Sequence, residues 1–194
     1  MSEHSSPPAW EGIHHLALVT DDMDATVRFY HGVLGARLVS TIGTDRFRHY
    51  FFEFAPGQTV AFFEYAGESP ERFSKPAGVP DPRAMQFDHL SFRLADEAAL
   101  EDLRSRLDRY GCEVTEVVDH DTMRSVYFTD PNGIALEASW WVVDPSPSAV
   151  DHTDTRMFSD ANPVPAVDEI VRGGLHSTPV THLTPEPSTA PARA

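Results

Sequence analysis

The feature that most constrains this chain is an arrangement that occurs twice. His15-Leu16-Ala17-Leu18 recurs 74 positions later as His89-Leu90-Ser91-Phe92, and Glu64 is matched 73 positions later by Glu137. Around the first set, residues 12–20 alternate as a strand does. Residues 24–34 pattern as a helix, with acids before it and Gly35 placed to stop it. Three stretches rich in aromatic and β-branched residues, 36–42, 47–54 and 59–65, then read as strands. The order repeats after a gap: strand 86–94, helix 96–110 ended by Gly111, and strands 113–118, 124–128 and 134–140. Leu100, Leu103, Leu107 and Tyr110 form one stripe of the second helix, as a helix covering a sheet requires. Each half is therefore a βαβββ unit. The expected fold is α+β, two tandem βαβββ modules forming a concave mixed sheet around a metal site, with helices on the outer face.

The organisation follows from the repeat. Residues 1–10 are expected to be a disordered N-terminus, 11–66 the first module, 67–84 a Pro- and Gly-rich linker and 85–143 the second module. Residues 144–194 hold eight of the sixteen prolines and a single aromatic, Phe158, so they can bury little and read as a tail. Within it, residues 158–172 carry enough apolar side chains for one short helical turn to dock on the body or on a second subunit, and the last twenty residues are expected to be disordered.

The repeat also carries chemistry. Alternate strand residues share a face, so His89, Ser91 and Arg93 point one way and Asp88, Leu90 and Phe92 the other. With helices on the apolar side, the polar side can bring His15, His89, Glu64 and Glu137 together. Imidazole and carboxylate suit Fe(II), Mn(II), Co(II), Ni(II) or Zn(II), and no thiolate is available to favour a softer site. A single strand histidine is usually just packed or exposed. Duplicated His and Glu at matching ends of two units are harder to explain that way, since a carboxylate beside the apolar runs at 60–63 and 134–136 would otherwise be costly. For Glu64 an edge-strand carboxylate is the competing explanation. His14 is expected to face away from His15 in a structural role, and His4, His152, His176 and His182 lie in the termini with no catalytic part.

Charge narrows the partners. Fifteen basic against thirty acidic residues give a net charge of -15, a field that repels phosphate backbones and anionic lipid. Neither nucleic acid nor a membrane is expected as partner. No apolar run reaches a membrane span, the start of the chain is not a signal sequence, and Cys112 alone cannot form an internal disulfide, so a cytoplasmic location is expected.

With these residues in place, the chain resembles the vicinal oxygen chelate superfamily of paired βαβββ proteins over about residues 11–142. That group includes glyoxalase I, methylmalonyl-CoA epimerase, fosfomycin-resistance enzymes and extradiol ring-cleaving dioxygenases. Val118-Asp119-His120, Val126-Tyr127, Asp130-Pro131-Asn132-Gly133 and Glu137 together look like the extradiol dioxygenase signature. The resemblance implies His15, His89 and Glu137 as ligands, with Tyr127 and His120 as catalytic groups near the substrate. It implies a divalent metal, Fe(II) first and Mn(II), Ni(II), Co(II) or Zn(II) as alternatives. A small catechol or hydroquinone-like aromatic and dioxygen would be the substrates, and a homodimer the assembly. Phe51, Phe62, Phe63, Tyr65, Trp140 and Trp141 are candidates to line an aromatic pocket. Two features depart from the dioxygenase pattern. No histidine lies between His49 and His89, where an acid-base histidine is expected and Gln58 stands instead. Glu64 resembles the first-unit carboxylate ligand of glyoxalase I, which would make a four-ligand Lewis-acid lyase or isomerase. A metal-free binding protein, like the drug-sequestering members, is the third alternative.

Overall fold

The computed structural model describes residues 11–83, 87–144 and 150–175. They fall into two compact units, one ending before the Pro-rich stretch and one within it. In the first unit, strand β1 (His15–Val19) pairs in parallel with β4 (Gln58–Tyr65), and β3 (Phe47–Ala55) and β2 (Arg37–Gly43) follow antiparallel, giving a mixed sheet of order β1-β4-β3-β2. The second half repeats this with β5 (Leu90–Arg93), β8 (Ala135–Trp141), β7 (Met123–Thr129) and β6 (Val118–Asp119), in the order β5-β8-β7-β6. The expected mixed sheet is thus two four-stranded sheets, one per module. Parallel pairing of first and last strands is possible because each module's helix lies in the crossover.

Helix α1 (Met23–Val27) starts where Asp22 accepts a 2.9 Å hydrogen bond from the Ala25 N–H. It continues as a π-helical segment, Arg28–Val33, whose wider turn sends the successive residues Phe29 and Tyr30 both into the core. Helix α2 (Glu97–Arg109) is capped in the same way by Asp96. Gly35 and Gly111 end the two helical stretches at φ of +78° and +75°, a region open to glycine without a Cβ clash.

Both helices lie on the apolar faces of the sheets. Tyr30, Phe52 and Phe62 from the first module and Leu100, Leu107, Val126 and Leu136 from the second belong to one buried cluster. Full burial of each of these side chains contributes on the order of 1.5–3 kcal/mol. Polar bonds cross the same seam. Thr20 Oγ1 donates to Asn132 Oδ1 at 2.6 Å, Tyr30 donates to Asp130 at 3.2 Å, and Arg106 binds the carbonyls of Gly32 and Val33. Asp130 in turn accepts the N–H groups of Asn132 and Ile134, so the Asp-Pro-Asn-Gly turn is both a strand reversal and the anchor between modules.

Two expectations are corrected. Residues 113–117 are not a strand, and only Val118 joins β6: Val114 makes one isolated bridge to Phe128, and Thr115 Oγ1 accepts the Tyr127 N–H in place of a backbone carbonyl, which interrupts the ladder. His14 precedes β1, and its Nδ1 lies 2.7 Å from His15 Nδ1 rather than on the far side of a strand. The segment joining the modules has no helix or strand among its described residues, yet Arg72 bonds to the Pro131 carbonyl and to Asp21, which seats it on the turn before β8. In the second unit, α3 (Pro165–Val171) begins with Pro165, and none of its side chains is buried. The disorder expected for residues 1–10 and for the chain end falls outside the described residues, Leu175 excepted. Among the described residues no helix is long and apolar enough to cross a membrane.

Candidate metal centre

Strand register decides which side chains can meet. In the second module Ser91 stands opposite Glu137, and Glu137 is also opposite Tyr127, so His89, Ser91, Glu137 and Tyr127 share the face turned away from the helices. His89 Nε2 lies 3.0 Å from Glu137 Oε2, and Tyr127 OH lies 2.8 Å from His120 Nε2. The His89 and Tyr127 rings meet edge-on with centroids 6.4 Å apart, which brings the two pairs of sequence-derived candidates into one group.

Glu137 is only 4% exposed. Burial alone would raise its carboxyl, but the Ser125, Ser91 and Tyr127 hydroxyls and the neighbouring His89 outweigh that, and its pKa is lowered. Those hydroxyls are near enough to act on the charge, yet Glu137 Oε1 and Ser125 Oγ each lack a well-formed hydrogen bond. A buried carboxylate oxygen without a partner, beside an imidazole nitrogen, matches the donor chemistry a divalent metal asks for. Burial, followed by the Glu137 charge, holds the Tyr127 phenol above its ordinary pKa, so this hydroxyl keeps its proton.

The first module differs. Its register pairs His15 with Thr59, Ala17 with Ala61 and Val19 with Phe63, so the position corresponding to Glu137 is Ala61, which is fully buried. Glu64 comes three positions later, an odd step, and projects from the opposite face. There it accepts the Met23 N–H at 3.0 Å and pairs with Arg48. The structure thus does not bring Glu64 to the His15 face. His15 itself is exposed, edge-on to Phe51 at 5.7 Å between ring centroids. Among the described residues no three His, Cys, Asp or Glu side chains converge as a metal-holding group.

Of the aromatic candidates, Phe62 is sealed in the core and Trp140 packs against it. Phe51, Phe63 and Tyr65 share the His15 face through their register with Ala61, His49 and Phe47, and Trp141 shares the Glu137 face opposite Met123. Two neighbours escaped the sequence reading. His49 is stacked on Phe63 at 3.6 Å and buried, its Nε2 without a partner, and burial together with the His15 charge lowers its pKa. Asp88 accepts from His89 Nδ1 at 2.6 Å. Its adjacency to His89 was the available signal, masked because neighbours on a strand point to opposite faces; Asp88 precedes β5, where that alternation does not apply.

Residues 12–138 match the model of the Glyoxalase/Bleomycin resistance protein/Dioxygenase superfamily. The chain belongs to this superfamily. It is 30% identical over 127 residues to the uncharacterized protein YaeR of Escherichia coli strain K12, covering 64% of this chain and 92% of that protein. A glyoxylase/bleomycin resistance protein/dioxygenase domain from Frankia sp. EAN1pec shares the fold with a TM-score of 0.59 at 24% identity, over 69% of this chain and 99% of that one. A lactoylglutathione lyase from Agrobacterium tumefaciens aligns with a TM-score of 0.51 at 27% identity, over 70% of this chain and 96% of that one. Superfamily members commonly use divalent metal ions, and they include enzymes as well as resistance proteins.

Proposed function

We propose that this superfamily member is a dioxygenase acting on a small catechol or hydroquinone-like aromatic, with Fe(II) held by His15, His89 and Glu137. The observation that carries the reading is Ala61: where a four-ligand lyase needs a first-module carboxylate on the His15 face, this chain has a methyl group, and Glu64 is occupied with Arg48 on the other face. Two imidazoles and one carboxylate would hold a divalent ion and leave it accessible to both substrates, as a four-ligand set would not. When bound, the iron supplies the redox coupling between the two.

The chain's own residues handle binding and protons. Tyr127, kept protonated and hydrogen-bonded to His120, donates to a substrate oxygen, and His120 returns the proton. The rings of Phe51 and Phe63 offer apolar surface to a planar substrate. His15 reaches the His89–Glu137 pair from a second copy. In support, its face leaves Val19, Ile42 and Tyr65 each more than 40% exposed, an apolar surface that a homodimer would cover.

Oxygen consumption by anaerobically Fe(II)-loaded protein, across a panel of catechols and hydroquinones, tests this. Uptake with at least one diol, lost in Tyr127→Phe or Glu137→Ala and kept in Glu64→Ala, is expected. No uptake across the panel would replace this reading with a Lewis-acid lyase or isomerase.

A further inference from the structure

The segment joining the modules is tied to the metal half-site through one carboxylate. Asp88 Oδ1 accepts from His89 Nδ1 at 2.6 Å and from the Gly78 N–H at 2.7 Å, while Asp88 Oδ2 accepts from Lys75 Nζ at 2.7 Å. The Lys75 side chain is only 8% exposed, so its charge is spent on this contact and on the Pro76 carbonyl. The stretch carrying it is seated firmly: Arg72 bonds to the Pro131 carbonyl, and a Cβ at Gly133 would come within 2.5 Å of the Phe73 carbonyl oxygen.

We infer that Asp88, clamped by Lys75 and the Gly78 backbone, is a positioning residue that fixes the ring of His89 for metal binding, which makes the inter-module segment part of the site. The inference rests on His89 being a ligand. An ionised carboxylate can only accept, so Nδ1 carries the hydrogen it shares with Asp88. On its other side Nε2 shares a hydrogen with Glu137 Oε2 at 3.0 Å, and a cation held by the two side chains would replace that hydrogen while Asp88 keeps the one on Nδ1. A carboxylate behind a histidine ligand sets both its tautomer and its basicity. No position in the first module does the same for His15, whose Nδ1 meets another imidazole, that of His14.

The test uses the full chain and Co(II) as probe, with long-range ¹⁵N NMR of the imidazoles of the metal-free protein at alkaline pH as an independent readout. Wild type should show His89 Nδ1 protonated, the hydrogen held by Asp88 in preference to the longer contact at Nε2. Asp88→Ala should show a mixture and bind Co(II) roughly 10- to 100-fold more weakly, with an altered visible spectrum. Asp88→Asn, which keeps an acceptor oxygen, should restore part of both. Wild-type affinity and tautomer in a folded Asp88→Ala protein would overturn the inference. Should that variant fail to fold, Lys75→Met decides: it should weaken Co(II) binding measurably, and an unchanged affinity and tautomer overturn the clamp. If wild type itself binds no Co(II), the metal reading fails, and the tautomer comparison alone still decides whether Asp88 fixes the ring.

Discussion

The two modules share strand order, parallel pairing of first strand on last, and an aspartate-capped helix, yet where the second has Glu137 the first has Ala61 at the same register. The second module holds its histidine, carboxylate and tyrosine on one face. The first has His15, His49 and Tyr65 on the matching face but turns its own carboxylate, Glu64, to the helix, where it binds the first turn of α1. The proposed ligands are therefore unevenly divided, His89 and Glu137 on the second module and His15 alone on the first.

The contrast is broken most severely by removing the carboxylate. Glu137→Ala should abolish stoichiometric Co(II) or Fe(II) binding, measured by elemental analysis after dialysis, because the buried acceptor and half of the paired site go together. His15→Ala should also strip the metal. If His15 acts across two copies, mixing His15→Ala with Glu137→Ala chains should recover about a quarter of the wild-type metal through random pairing. No recovery would mean that all ligands come from one chain.

Next in size is the anchor, which belongs to neither metal half. Asn132→Ala strips partners from buried Thr20 and Asp130 and should lower stability by about 1–3 kcal/mol in urea unfolding. A smaller effect tests the His15 face. The His49 pKa is lowered in the folded chain, so the unfolded state binds more protons below about pH 6.5, and stability should fall as pH drops through that region. His49→Phe should flatten this dependence in metal-free protein. Smallest of all is Glu64→Ala: loss of its bond to the Met23 N–H and of a surface ion pair should cost about 1 kcal/mol or less, with metal content unchanged.

The fold was largely legible because its determinants are local. Alternation marked β3, β4 and β8 to within a residue or two, and Gly35 and Gly111 stopped the helices where their backbone turns. The stretch at 113–117 has strand composition, but a threonine hydroxyl replaces a ladder bond, which composition cannot show. The site was half legible. His89, Glu137, Tyr127 and His120 emerged from the repeat and the motif because β7 and β8 are joined by a tight turn that keeps spacing and register in step. Glu64 looked equivalent to Glu137 by counting along the chain. Side-chain direction has a period of two, however, so an odd offset in register places it on the far face, and Ala61, the true counterpart, gives no signal.

A crystal structure of the Co(II)-loaded protein, with the ion located by anomalous scattering, tests the asymmetry between modules most directly. The expected result is an ion bonded to His89 Nε2, Glu137 and a His15 ring, with Glu64 still paired to Arg48. An ion ligated by Glu64, or one seated away from Glu137, would contradict it.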